Sequence, residues 1–165
     1  MIRVAVLTIS DGVAAGTRED ESGIALQQRA IILGWNVNST DVVSDDQQNI
    51  AGAISPLAHS GNIDVILTTG GTGVAARDVT PEAVRSIADR EIPGFGEVMR
   101  SEGRKSTLFA ALSRSAGYTL GTTLILTLPG SPRGAVESLN AVAELIPHVV
   151  DLLHGRTAHD PKPLS

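Results

Sequence analysis

Short apolar runs alternate along this chain with helix-like segments, and that alternation restricts the fold more than any other feature. Residues 3–9, 35–43, 63–69 and 122–128 each read as a strand. The runs at 63–69 and 122–128 are largely apolar, as strands covered on both faces should be. Helix signals lie between them. Asp20, Glu21 and Ser22 precede an apolar-rich helix that Gly34 ends, and Ser44, Asp45 and Asp46 precede Ile50, Ala53, Ile54 and Leu57 at helical spacing. Thr80, Pro81 and Glu82 place a capping residue, a proline at the first helical position and an early acid in a row, predicting a helix from Pro81 to about Asp89. A helix is expected over 94–105, and weaker signals over 106–121 allow a short helix at Leu108, Ala111 and Leu112, then a turn or hairpin at 117–121. The last helix carries Val136, Leu139, Val142, Leu145, Ile146 and Val149, and Pro147 should kink or split it. Strands alternating with helices predict parallel strands joined by right-handed crossovers. The expected fold class is therefore α/β, a three-layer α/β/α arrangement with a mostly parallel central sheet, one domain over 1–154 and a polar, proline-containing tail over 155–165.

A chain of 165 residues with 42% hydrophobic content can bury roughly two-thirds of its extended surface. No run approaches the roughly 18 apolar residues that a membrane span needs, so no membrane partner is expected. The apolar start at Ile2 and Val4 to Leu7 runs straight into Thr8, Ile9, Ser10 and Asp11 without a cleavage pattern, and reads as a strand and not a leader. There is no cysteine, which excludes disulfides, thiolate metal sites and a cysteine nucleophile, and agrees with the cytoplasmic location expected here. A net charge of -5 and only four aromatic residues, Trp35, Phe95, Phe109 and Tyr118, argue against nucleic acid as a partner.

Ligands of open parallel sheets bind beyond the carboxyl ends of the strands, where loops vary and helix N-termini offer free N–H groups. The loops after the expected strands hold Ser10, Asp11 and Gly12; then Ser44, Asp45 and Asp46; then Thr69, Gly70, Gly71, Thr72 and Gly73; and last Pro129, Gly130, Ser131 and Pro132. All four would meet on one sheet edge. Gly70, Gly71 and Gly73 let backbone amides approach a phosphate, and Thr72 adds a hydroxyl. Asp45 and Asp78, brought together beside a phosphate, would suit Mg²⁺. Each has a plainer reading, Asp45 as a helix cap and Asp78 as a surface partner of Arg77. The 129–132 loop is either a phosphate contact or simply the start of a proline-bounded helix, and Ser10 and Asp11 either line the site or shape a turn. The four histidines, His59, His148, His154 and His159, show no metal-ligand spacing.

Two motif readings fail. No Gly-Lys-Ser/Thr precedes a helix, which removes the P-loop. Gly71, Gly73 and Ala76 fit the loose dinucleotide pattern, but after the third strand and with no acid ending a strand about twenty residues later.

The runs 69–73, 77–82, 93–97, 112–114 and 129–132, with Ser10 and Asp11, resemble the MogA/MoaB family, related to the G domains of gephyrin and its plant counterpart; the likeness covers about residues 3–150 in the family's order. It implies the molybdenum-cofactor-biosynthesis fold and a molybdopterin adenylyltransferase that uses ATP and Mg²⁺, in a homotrimer. It further implies that Asp45 and Asp78 are the catalytic, metal-holding aspartates. Substrate contacts implied by the same match are Ser10, Asp11, Thr69, Gly70, Gly71, Thr72, Gly73, Glu82, Ser113, Arg114, Pro129, Gly130, Ser131 and Pro132. Which of Arg77, Arg114 and Arg133 reaches phosphate is left open. Molybdenum insertion would belong to a separate partner protein. Some MoaB-type relatives are read as pterin binders without catalysis, which is the alternative function; the presence of both Asp45 and Asp78 favours the active branch.

Overall fold

The structure, a computed structural model, describes residues 1–157; the tail expected over 155–165 lies outside them from residue 158 onward. Its centre is a six-stranded sheet built of β1 (Arg3–Ile9), β2 (Asn36–Val43), β3 (Val65–Thr69), β4 (Arg90–Ile92), β5 (Ala116–Leu120) and β6 (Thr123–Leu128), in the order β2-β1-β3-β6-β5-β4. The first four in that order run parallel, β5 runs antiparallel to β6, and β4, antiparallel to β5, points the same way as the first four. The strand composition follows position. β3 and β6 are buried along their whole length and are apolar or threonine, whereas β2, at the edge, alternates exposed and half-buried residues. This explains the mixed polarity of residues 36–43.

Alternate residues of each strand feed opposite faces. Val4, Val6, Val65, Leu67, Leu124 and Leu126 point into one core, while Ala5, Leu7, Ile9, Ile66 and Ile125 point into the other. The helices are α1 (Asp11–Ala14), α2 (Glu21–Ile32), α3 (Gln47–His59), α4 (Thr80–Arg85), α5 (Pro93–Gly103), α6 (Pro132–Val142) and α7 (Ile146–Leu153). Leu26 of α2, Phe95 and Met99 of α5, Leu139 of α6 and Ile146 and Val150 of α7 cover the first face. Ile50 and Ile54 of α3 and Ala83 and Val84 of α4 cover the second. Three layers result. Among the described residues no helix is long and apolar enough to cross a membrane.

Several expectations change in detail. The helix expected over 81–89 is the shorter α4, because Asp89 N–H donates to Thr119 O (2.8 Å) and the chain joins the sheet as β4, a strand the sequence reading missed. Thr80 does not cap α4. It is the first helical residue, and its Oγ1 donates to Gly70 O at 2.8 Å. The weak region around 108 is a short 3-10 turn, Leu108–Leu112, followed by β5 and a two-residue hairpin turn in which Gly121 has φ +58°. The last helix is split, with the break at 143–145 and Pro147 in the first turn of α7, where its missing N–H is harmless.

Candidate functional site

The carboxyl ends of β1, β2, β3 and β6 lie side by side, and hydrogen bonds tie their loops together. Ser10 N–H donates to Val43 O at 2.9 Å, Gly70 N–H to Leu128 O at 3.0 Å and Thr69 Oγ1 to Pro129 O at 2.7 Å. Crossover connections thus bring four loops from distant parts of the sequence to one edge.

Asp11 and Asp45 clasp each other reciprocally. Asp11 N–H donates to Asp45 Oδ2 (2.9 Å) and Asp45 N–H to Asp11 Oδ1 (3.0 Å). Arg77 then grips Asp11 with Nε (3.0 Å) and Nη2 (2.8 Å), and this pairing lowers the pKa of Asp11. Asp45 behaves in the opposite way: burial pushes its pKa up, the Asp11 amide pulls against that, and the nearby charges of Asp11 and Asp78 add to the rise. The cap of α3 is Asp46, whose carboxylate accepts from Asn49 N–H at 2.9 Å; the plainer reading of Asp45 as that cap is therefore wrong. The pairing of Asp78 with Arg77 fails too. Arg77 is committed to Asp11, and Asp78 Oδ2 accepts from Ala75 N–H at 2.9 Å.

The glycine loop needs its glycines for two separate reasons. Gly70 and Gly71 have φ of +107° and +69°, and a side chain on Gly70 would put Cβ 2.2 Å from Ile9 O. The bare backbone of Gly71 faces Asp45, whose Oδ1 would be 3.2 Å from an added Cβ, and that of Gly73 faces Asp78, whose Oδ2 would be 2.7 Å away. At the last loop, Ser131 Oγ caps α6 by accepting from Gly134 N–H at 3.1 Å. Ser10 likewise caps the short α1 through Val13 N–H at 3.2 Å.

A cavity of about 450 Å³ opens over this edge, within the ordinary range for small-molecule sites. Ser10, Asp45, Thr69, Gly70, Gly71 and Asp78 line it, as do Gly130, Ser131 and Pro132. A second, more apolar cavity of about 420 Å³ shares Gly130 and Ser131, and takes in Thr72, Gly73, Ser113 and Pro129. Asp11 touches the first cavity only through Asp45. Glu82 lines neither, and Arg114 lines a third cavity of about 320 Å³ beside β5. Of the arginines left open, Arg77 is held by Asp11 and Arg133 Nε donates to Glu137 at 2.8 Å. The arginines that do line the two main cavities are Arg18 and Arg100, which the sequence reading missed, together with Asp20. Asp20 caps α2 through Gly23 N–H (2.9 Å) and accepts from Thr8 Oγ1 (2.8 Å). A signal existed for it: a capping acid after a parallel strand must lie on the same edge as the other loops.

The donors facing the glycine loop are carboxylate oxygens, which suit a hard divalent cation such as Mg²⁺, an ion that takes few protein carboxylates and completes its shell with water and phosphate oxygens. Among the described residues no three His, Cys, Asp or Glu side chains gather to hold a metal. The protein's share would thus be two carboxylates, a fit for a cation that arrives with a phosphate-bearing ligand.

Known proteins resemble this chain in sequence and in fold. Residues 5–148 match the family model described as the probable molybdopterin binding domain. The chain is 37% identical to a molybdopterin adenylyltransferase of Helicobacter pylori (strain J99) over 158 residues, 93% of this chain and 89% of that one. It is 37% identical to the molybdopterin adenylyltransferase of Escherichia coli (strain K12) over 163 residues, 97% and 82% of the two chains. The crystal structure of the molybdopterin biosynthesis enzyme MoaB from Thermus thermophilus superposes with a TM-score of 0.88 at 44% identity, covering 94% of this chain and 98% of that one.

Proposed function

The chain belongs to the family described as the probable molybdopterin binding domain, and on that premise we propose that it is a molybdopterin adenylyltransferase, moving AMP from ATP onto the phosphate of molybdopterin. ATP and molybdopterin are its substrates. The observation that carries the reading is the convergence of four strand-end loops on one cavity, with Asp45 beside Gly71 and Asp78 beside Gly73.

The chemistry asks little of a base. A phosphate monoester is already anionic near neutral pH, so the obstacle is bringing two anions together and holding the charge that builds on the departing pyrophosphate. The chain answers with backbone donors. Gly71 opens the loop to close approach by a phosphate, and in the first turn of α6, where Pro132 has no N–H and Gly134 N–H is bonded to Ser131 Oγ, Arg133 N–H is the further donor. Asp45 and Asp78 would hold Mg²⁺, which when bound supplies positive charge against the developing negative charge. Asp11, gripped by Arg77, keeps the Asp45 backbone and carboxylate in place. The remaining substrate contacts fall to Ser10, Thr69, Thr72, Gly73, Ser113 and the 129–132 loop. The proposal also covers a cytoplasmic homotrimer with its catalytic unit in residues 1–154, the exposed apolar Leu108 and Phe109 offering surface for association, and leaves molybdenum insertion to a separate protein.

The test is to incubate the protein with molybdopterin, ATP and Mg²⁺ and to follow pyrophosphate. Asp45→Asn and Asp78→Asn should each lower turnover about a hundredfold or more while molybdopterin affinity changes far less, because the lost interaction is with transition-state charge. A folded wild-type protein that binds molybdopterin but releases no pyrophosphate would be a pterin-binding protein without catalysis.

A further inference from the structure

Arg114 sits just before β5, and its backbone N–H, Nε and Nη2 run to the loop over residues 72–78. Its backbone N–H donates to Thr72 O at 2.8 Å, its Nε to Gly73 O at 2.8 Å and its Nη2 to Asp78 O at 2.7 Å. Nη1 is bonded to Glu82 in the first turn of α4, and that contact lowers the pKa of Glu82, so the carboxylate is charged at neutral pH. One residue therefore spans the loop from Thr72 to Asp78 and anchors it to α4. The loop's other ties are at its start, where Gly70 and Gly71 bond to Leu128 and Thr80, and at Arg77, which holds Asp11; residues 70–79 contain no helix or strand, and Val74, Ala75, Ala76 and Arg77 are exposed. A planar guanidinium makes these contacts in one fixed orientation, which a lysine ammonium cannot copy.

The side chain also lies outside the candidate site. Neither Arg114 nor Glu82 lines the cavity that holds Asp45 and Asp78 or the adjoining one. From this geometry we infer that Arg114 and Glu82 are positioning residues, acting from behind the loop to set the Gly73 and Asp78 backbone, and do not contact substrate phosphate. The inference rests on the adenylyl-transfer reading for its catalytic consequence, but its structural content stands apart. A phosphate-binding arginine would be released, and its cationic field strengthened, by neutralising its carboxylate partner. A positioning arginine would instead lose its orientation.

The experiment compares Glu82→Gln and Arg114→Lys with the wild type by two measurements. Amide hydrogen exchange on the ligand-free protein should show residues 72–78 exchanging about tenfold faster in both variants, the equivalent of about 1.4 kcal/mol of lost local stability, with β1 and β6 unchanged. In turnover, both variants should need several-fold more Mg²⁺ for half-maximal rate and lose kcat, with the KM for ATP nearly constant. Unchanged exchange over 72–78 in both variants overturns the inference. So does Glu82→Gln with wild-type turnover while Arg114→Lys weakens molybdopterin binding, which would mark a direct phosphate contact. If no protein in the series releases pyrophosphate, the adenylyl-transfer reading fails, while the exchange measurement still decides the role of Arg114. If Arg114→Lys does not fold, Glu82→Gln alone decides it.

Discussion

Gly70→Ala should be among the most damaging single-methyl changes in this protein, and the structure says why. Two costs combine at Gly70. The residue has φ +107°, a region that a side chain occupies only at about 1–3 kcal/mol. The new Cβ would also stand 2.2 Å from Ile9 O and 3.2 Å from Ile9 C, against a practical limit of 3.0 Å, so a gap of at least 0.8 Å must open. Both colliding groups are backbone, and no side-chain rotation relieves them. The ends of β1 and β3 must separate, which costs about another 1–3 kcal/mol by analogy with overpacked cores. The total is about 2–6 kcal/mol, a large part of a domain's roughly 5–15 kcal/mol. Gly121→Ala is the control, since its φ is also positive (+58°) but nothing lies within 4 Å of the added methyl; it should cost only about 1–2 kcal/mol. Urea unfolding followed by circular dichroism gives both values, and Tm should fall by about 2–4 °C per kcal/mol for a chain of this size. Because the separation moves Ser10 and Asp11, Gly70→Ala should also lose turnover, while Gly121→Ala, at the far edge, should keep it. Equal destabilisation by the two changes, within about 0.5 kcal/mol, would refute the reasoning.

Two further outcomes follow from particular side chains. Asp46→Ala should cost about 1 kcal/mol of stability through loss of the α3 cap and leave turnover intact, while Asp45→Asn should do the reverse; similar profiles for the two would undo the division between neighbouring acids. Asp64 is buried at the opposite edge of the sheet, and although burial alone would raise its pKa, hydrogen bonds and charge from Arg3, with a contact from His154, hold it at about 2 against an ordinary 3.8. A lowered folded-state value means stability present above about pH 4 and lost as pH falls through 2, worth about 2 kcal/mol. Asp64→Asn should therefore unfold more easily than the wild type at neutral pH, with the gap in urea midpoint closing between pH 4 and pH 2; a gap independent of pH would count against the ion pair.

Much of this molecule is written in local sequence. Strand and helix alternation, the apolar runs of β3 and β6, the turn-forming Gly70 and Gly71 and the capping Ser131 are properties of neighbours, and each follows from steric and hydrogen-bonding preferences that act over a few residues. The same preferences placed the four loops on one edge, because parallel strands leave no other arrangement. What local sequence could not decide was which member of each loop lines the shared cavity. Asp45 and Asp46 are adjacent acids in a single cap-like run, and only the approach of Asp11, from a different loop, assigns one to the site and the other to the helix. Arg114 is a candidate phosphate contact by sequence alone, and only the fold shows its three side-chain nitrogens bonded to Gly73, Asp78 and Glu82. β4 is three residues long and exists only because β5 lies beside it. Side-chain partnership between residues dozens of positions apart depends on packing, and the chain settles it only after the sheet has closed.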